Sequence, residues 1–193
     1  MSDPLLSPED VRRGLEDLVT ALVDRGVTSH IHVVGGAAVM IQAGRQALSR
    51  DIDALYPPLP AIDQAIRAVA AAHHWPDTWL NDAVKMYASH YDADADWEVH
   101  LTKAGVTVSV ATCRLLLAMK LLAARPRDAE DIALLIAAGG ITDRQGAIEV
   151  FDAYYPTESL KPRAHAILDD LLPGDNPTAG DDWGTPNATH GRD

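Results

Sequence analysis

The chain has 193 residues, of which 47% are hydrophobic and 23% charged, with a formal net charge of −12. That length and balance predict a globular chain with a real core, and the acidity excludes coating of DNA through a broad basic surface, because that mode needs many Lys and Arg contacts to phosphate. The lone Cys113 has no partner for an internal disulfide, and neither a leader nor a membrane-length apolar run stands out, so a cytoplasmic protein is expected.

Ser7-Pro8-Glu9-Asp10 reads as a helix start, with Ser7 as N-cap, Pro8 at the first helical position and Asp10 three residues after the cap. Apolar Val11, Leu15, Leu18, Val19, Leu22 and Val23 continue it at helical spacing over 8–25. A strand follows over 30–34, a helical segment over 37–44 and a second strand over 51–56, stopped by Pro57-Pro58-Leu59-Pro60. Residues 61–73 are alanine-rich and helical, and two short strands are expected over 97–101 and 106–111 around Lys103-Ala104-Gly105. Beyond Thr112 the period becomes helical: one helix through Leu115, Leu116, Met119 and Leu122, a second through Ile132 to Ile136 ending at Gly139-Gly140, and two more over 143–153 and 160–171. The fold class expected is therefore α+β: a mixed sheet flanked by helices over 1–111, a helical bundle over 112–172, and a mobile acidic tail over 173–193.

The most informative stretch joins Val34-Gly35-Gly36 to Asp51-Ile52-Asp53. Residues i and i+2 of a strand face the same way, so Asp51 and Asp53 present two carboxylates together. Hard oxygen ligands of this kind suit Mg²⁺ held against a nucleotide's phosphates, and glycine lets backbone approach a phosphate with no Cβ in the way. Other constellations fail. Asp92-Ala-Asp94-Ala-Asp96 begins like a calcium loop, but Trp97 stands where that loop needs Gly and Lys103 where it needs Glu. His30 with His32, and His73 with His74, lack further ligands for zinc, and no P-loop or dinucleotide glycine fingerprint is present.

With the glycine pair upstream, Val33 to Leu55 resembles the signature of the DNA polymerase β-like nucleotidyltransferase superfamily, Gly-Gly or Gly-Ser followed by Asp-x-Asp. A second block, from Val106 through Lys120 to Arg127-Asp128-Ala-Glu-Asp131, is similar to the AbiEii/MenT type of bacterial nucleotidyltransferase, which includes toxins of toxin–antitoxin pairs. The resemblance implies Mg²⁺, one or two ions, on Asp51 and Asp53, and a triphosphate cradled at Gly35 and Gly36. It further implies a phosphate-binding Lys120 and an additional essential acid in the Arg127, Asp128, Asp131 run, with Asp131 preferred and Asp96 or Glu98 as other sources. Catalysis would rest on Asp51, Asp53, Lys120 and Asp131.

The implied partners are an NTP, the 3′ end of tRNA and an antitoxin protein; a protein or small-molecule acceptor, or a module that binds without turnover, are the alternatives. Ala37 stands where many relatives have Ser, which leaves phosphate binding to backbone N–H groups. Ala47 stands where an arginine often precedes the aspartates, so Arg45 and Arg50 are the substitutes. A small basic groove for a single-stranded RNA end would draw on Arg45, Arg50, Lys103, Arg114, Arg125 and Arg127.

Overall fold

The computed structural model describes residues 5–172, so the acidic stretch over 173–193 lies outside the described residues. In chain order the elements are α1 (Pro8–Asp24), β1 (Ser29–Val34), α2 (Gly35–Ala43), β2 (Ile52–Leu55), α3 (Pro60–His73) and β3 (Leu80–Asn81). They continue with β4 (Trp97–Lys103), β5 (Val106–Ala111), α4 (Cys113–Ala123), α5 (Ala129–Ala138), α6 (Arg144–Tyr154) and α7 (Pro162–Leu171), with 3-10 turns at Ala83–Tyr87, Asp94–Asp96 and Pro126–Asp128. This is an α+β fold. Among the described residues no helix is long and apolar enough to cross a membrane.

The local signals at the start of α1 act as the sequence predicts. Ser7 Oγ accepts from the Asp10 amide at 3.2 Å, and the Ser7 amide donates to Asp10 Oδ2 at 3.0 Å, so Asp10 fills the place usually held by Glu or Gln. The apolar stripe of α1 then buries Val11, Leu15, Leu18, Val19 and Leu22.

A single sheet runs in the order β3-β2-β1-β5-β4. Strand β1 is antiparallel to β2 and parallel to β5, and Val34 pairs with Asp53. Both α2 and α4 therefore leave the sheet from the same edge, at the ends of two adjacent parallel strands. One buried cluster reaches from Leu6 through the strands to Phe151 and Leu168, and α2 packs against both α4 and α5. The helical half is thus mounted directly on the helix that follows the glycine pair.

Four details differ from the sequence expectation. Helix α2 begins at Gly35 and takes both glycines into its first turn, where the expectation had them before a helix starting at Ala37. Strand β2 begins at Ile52 rather than Asp51: Asp51 follows the bend at Arg50, and its carbonyl accepts from Ser49 Oγ at 2.9 Å. Strand β4 extends to Lys103, since Ala104 and Gly105 both take positive φ and turn the chain tightly into β5. Strand β3 and the turn after it were not expected, because two strand residues carry no readable period.

Candidate functional site

The register that pairs Val34 with Asp53 puts the next residue, Gly35, directly against the Asp53 side chain. Gly35 has φ of 67°, and a Cβ there would strike Asp53 Oδ2. At Gly36 a Cβ would lie 2.9 Å from Arg45 Nη1 and 3.3 Å from Ser49 Oγ. Gly35 is therefore required both by the Asp53 side chain and by its backbone conformation, whereas at Gly36 the neighbour is the mobile end of the Arg45 side chain, which can move aside. Val34, the N-cap of α2, offers no side-chain oxygen, so the first-turn N–H groups of this helix carry no side-chain cap. Uncapped amides together with the positive end of the helix dipole favour an anion.

Asp51 and Asp53 stand beside this turn. Asp51 Oδ2 accepts from Asn81 Nδ2 at 3.1 Å, whereas among the described residues Asp53 has neither a hydrogen-bond nor an ion-pair partner. Burial pushes the Asp53 carboxyl above its ordinary range, and the neighbouring Asp51 pushes it the same way; Lys120, Arg125 and Arg127 pull it back. Two hard-oxygen donors held together without a compensating partner fit a divalent cation. Among the described residues no group of three or more His, Cys, Asp or Glu side chains is placed to hold a metal.

The helical half closes the opposite side. Lys120, on α4, lies 2.8 Å from Asp128 Oδ1 and 2.7 Å from Asp131 Oδ2. Asp131 Oδ1 in turn lies 2.8 Å from Arg45 Nε, a charge contact not aligned for a hydrogen bond. Both acids are only 3% exposed, which is tolerable because each is paired. Their positions differ in kind. Asp128 spends its second oxygen on the Arg125 amide at 3.1 Å, while its own amide donates to the Arg125 carbonyl at 2.9 Å, so it closes the 3-10 turn before α5. Asp131, one turn further on, joins Lys120 of the back half to Arg45 of the front half.

These groups line a cleft of about 530 Å³. Gly35, Gly36, Arg45, Arg50, Asp51, Asp53, Lys120, Arg127, Asp128 and Asp131, the residues singled out from the sequence, all lie on its wall. The wall carries five cationic side chains, with Arg125 as the fifth, against four carboxylates. In a chain of net charge −12 this is a local reversal of sign.

Other expected members are elsewhere. Lys103 pairs with Val106 at the far end of the sheet and its ammonium lies 3.3 Å from Thr20 of α1, so it cannot join the groove. Arg114 does not line the cleft; its charge acts on Tyr154. Asp96 accepts from the Tyr154 hydroxyl and from the Ala93 amide, and Glu98 is exposed on β4 beside Cys113, so neither is a third acid of this site. Sequence reading missed Asn81, Ser49 and Tyr87. Asn81 sits on a strand too short to recognise, and Ser49 and Tyr87 carried no motif. No protein-family model, curated protein or solved structure matches this chain.

Proposed function

We propose that this protein is a Mg²⁺-dependent nucleotidyltransferase that adds an NMP from an NTP to an acceptor hydroxyl. The observation that carries the reading is the convergence, in one cleft, of the glycine turn and Asp51 and Asp53 from the sheet with Lys120 and Asp131 from the helices. Asp51 and Asp53 are the residues that would hold Mg²⁺, one ion or two, and the bound metal would supply neutralisation of charge developing on the phosphates.

The chain's own groups have separable tasks. The first-turn N–H groups of α2 bind phosphate oxygens, with Gly35 and Gly36 allowing the approach. Lys120 adds a compact positive charge, and Arg45, Arg50 and Arg127 extend the cationic wall. The acceptor oxygen attacks the α-phosphorus, its bond to phosphorus forms, the bond to the bridging oxygen breaks and pyrophosphate leaves. Asp131 takes the hydroxyl proton on Oδ1, the oxygen that Lys120 leaves without a hydrogen bond, once that oxygen gives up its contact with Arg45. The 3′ end of tRNA as acceptor, an action as a toxin that blocks translation, and an antitoxin partner follow from the resemblance to AbiEii/MenT enzymes.

Incubation with Mg²⁺, each α-labelled NTP and total tRNA tests the reading, with Asp51→Ala and Asp53→Ala as controls. Label on tRNA that both variants lose is the expected result. Label on a protein or on an aminoglycoside instead would move the acceptor to that class. NTP binding without transfer to any of these acceptors overturns the enzymatic reading.

A further inference from the structure

The charged wall described above accounts for phosphates and metal but leaves the flat, aromatic part of a nucleotide without a contact. We propose that Tyr87, with Arg125 beside it, is a nucleobase platform that takes a base by its face rather than by its hydrogen-bonding edge; the proposal rests on the nucleotidyltransferase reading of the same cleft. Tyr87 is the one aromatic residue on the cleft wall among the described residues. The Arg125 guanidinium lies over its ring at 5.5 Å from the centre, a cation–π arrangement. Ring and guanidinium together present two planar groups of the kind on which bases stack.

The platform is held rigidly. Tyr87 ends the 3-10 turn Ala83–Tyr87, and its carbonyl accepts from the Tyr155 hydroxyl at 2.6 Å. Two residues on, Ser89 Oγ donates to the Tyr154 carbonyl at 2.8 Å, so the end of α6 holds this segment at Tyr87 and again just after it. The same cleft wall carries apolar side chains, Val84 from the same turn and Met119 and Ala123 from α4. Lys120 follows Met119 directly, which puts the apolar patch next to the cationic one. Such an adjacency suits a base joined to its phosphates. No Asn or Gln side chain lines the cleft among the described residues, and these are the side chains that read base edges by paired donor and acceptor. The contact should accept all four bases.

A base on this platform belongs either to the incoming NTP or to the terminal nucleotide of the acceptor, and binding measurements separate the two. Titrations of the full-length chain with α,β-methylene analogues of the four NTPs, with inorganic tripolyphosphate and with a short single-stranded oligoribonucleotide are compared in wild type, Tyr87→Phe and Tyr87→Leu, all with Mg²⁺. Tyr87→Phe keeps the ring and should bind as wild type does; Tyr87→Leu keeps apolar bulk and should weaken nucleotide binding by roughly tenfold, the scale of one lost base–aromatic stack. Tripolyphosphate binding should be unchanged in both. A loss confined to the NTP analogues assigns the incoming base, and a loss confined to the oligoribonucleotide assigns the acceptor's base; either supports the platform. Equal binding of every nucleotide by wild type and a folded Tyr87→Leu overturns it, as does loss of one NTP with the other three unaffected. Wild type that binds neither tripolyphosphate nor any NTP overturns the underlying nucleotidyltransferase reading instead.

Discussion

Gly35 and Asp53 are in such close contact that no side chain fits between them: a Cβ on the glycine would meet the carboxylate, and the glycine's φ of 67° is itself one that L residues avoid. The contact follows from the pairing of Val34 with Asp53 across antiparallel β1 and β2, which makes the turn into α2 the floor under the carboxylate pair.

Gly35→Ala should therefore destabilise the fold by more than backbone strain alone. Gly44 provides the comparison, because it also has φ of 67° but a Cβ there would meet nothing within 4 Å. Gly44→Ala is expected to cost about 1 to 2 kcal/mol, the ordinary penalty for a left-handed alanine, and Gly35→Ala clearly more. Urea unfolding of the two variants measures the difference; equal losses would show that Asp53 yields freely.

Removing the charge at Lys120 should be costly to stability as well as to activity. Lys120→Met leaves Asp128 without a cation and Asp131 with Arg45 alone. Breaking a buried pair from one side costs about 3 to 5 kcal/mol. Thermal unfolding should recover part of the loss in Lys120→Met combined with Asp128→Asn. No recovery in the double variant would mean that the unpaired Asp128 is not what destabilises the single one.

Asp53→Asn is expected to raise stability while abolishing transfer. The folded-state carboxyl is raised above its ordinary 3.8, so the folded chain holds a proton there more readily than the unfolded chain does. The ionised carboxylate therefore opposes folding above the folded-state pKa, and that penalty fades as pH falls through it toward 3.8. Melting at pH 7 should show a gain of up to a few degrees for the variant, shrinking under acid. A variant less stable than wild type at pH 7 would contradict the assignment.

Mg²⁺ should stabilise wild type by removing the same penalty. At about 100 times its dissociation constant a ligand that binds only the folded state adds about 2.7 kcal/mol. Melting with excess Mg²⁺ and again after chelation should show the increment in wild type and none in Asp51→Asn or Asp53→Asn. An equal increment in all three would place the ion elsewhere.

Features decided within a few residues were legible from the sequence. The Ser7 and Asp10 cap, the apolar stripe of α1 and the helices after Thr112 all depend on spacings that repeat at the period of the local structure; Asp51 and Asp53 do line one cleft, but Asp51 precedes the strand, so strand alternation is not what brings them together. The glycine pair was legible for the same reason, although its place inside the first turn of α2 was not. What escaped depends on partners distant in the chain. Lys103 and Arg114 have the right charge for a groove, yet the sheet carries one to its opposite end and α4 turns the other toward Tyr154.

From sequence alone came the kinds of groups available: a glycine pair, two carboxylates two residues apart, and a lysine and acids on later helices. Only the tertiary structure brought Asp131 within reach of both Lys120 and Arg45, tied Asp128 to the Arg125 turn, and set Tyr87 on the cleft wall. The reason is physical. Helix and strand periods govern which residues share a face, whereas the meeting of faces is decided by how α2, α4 and α5 bury their apolar sides against one another, and that packing is a property of the whole chain.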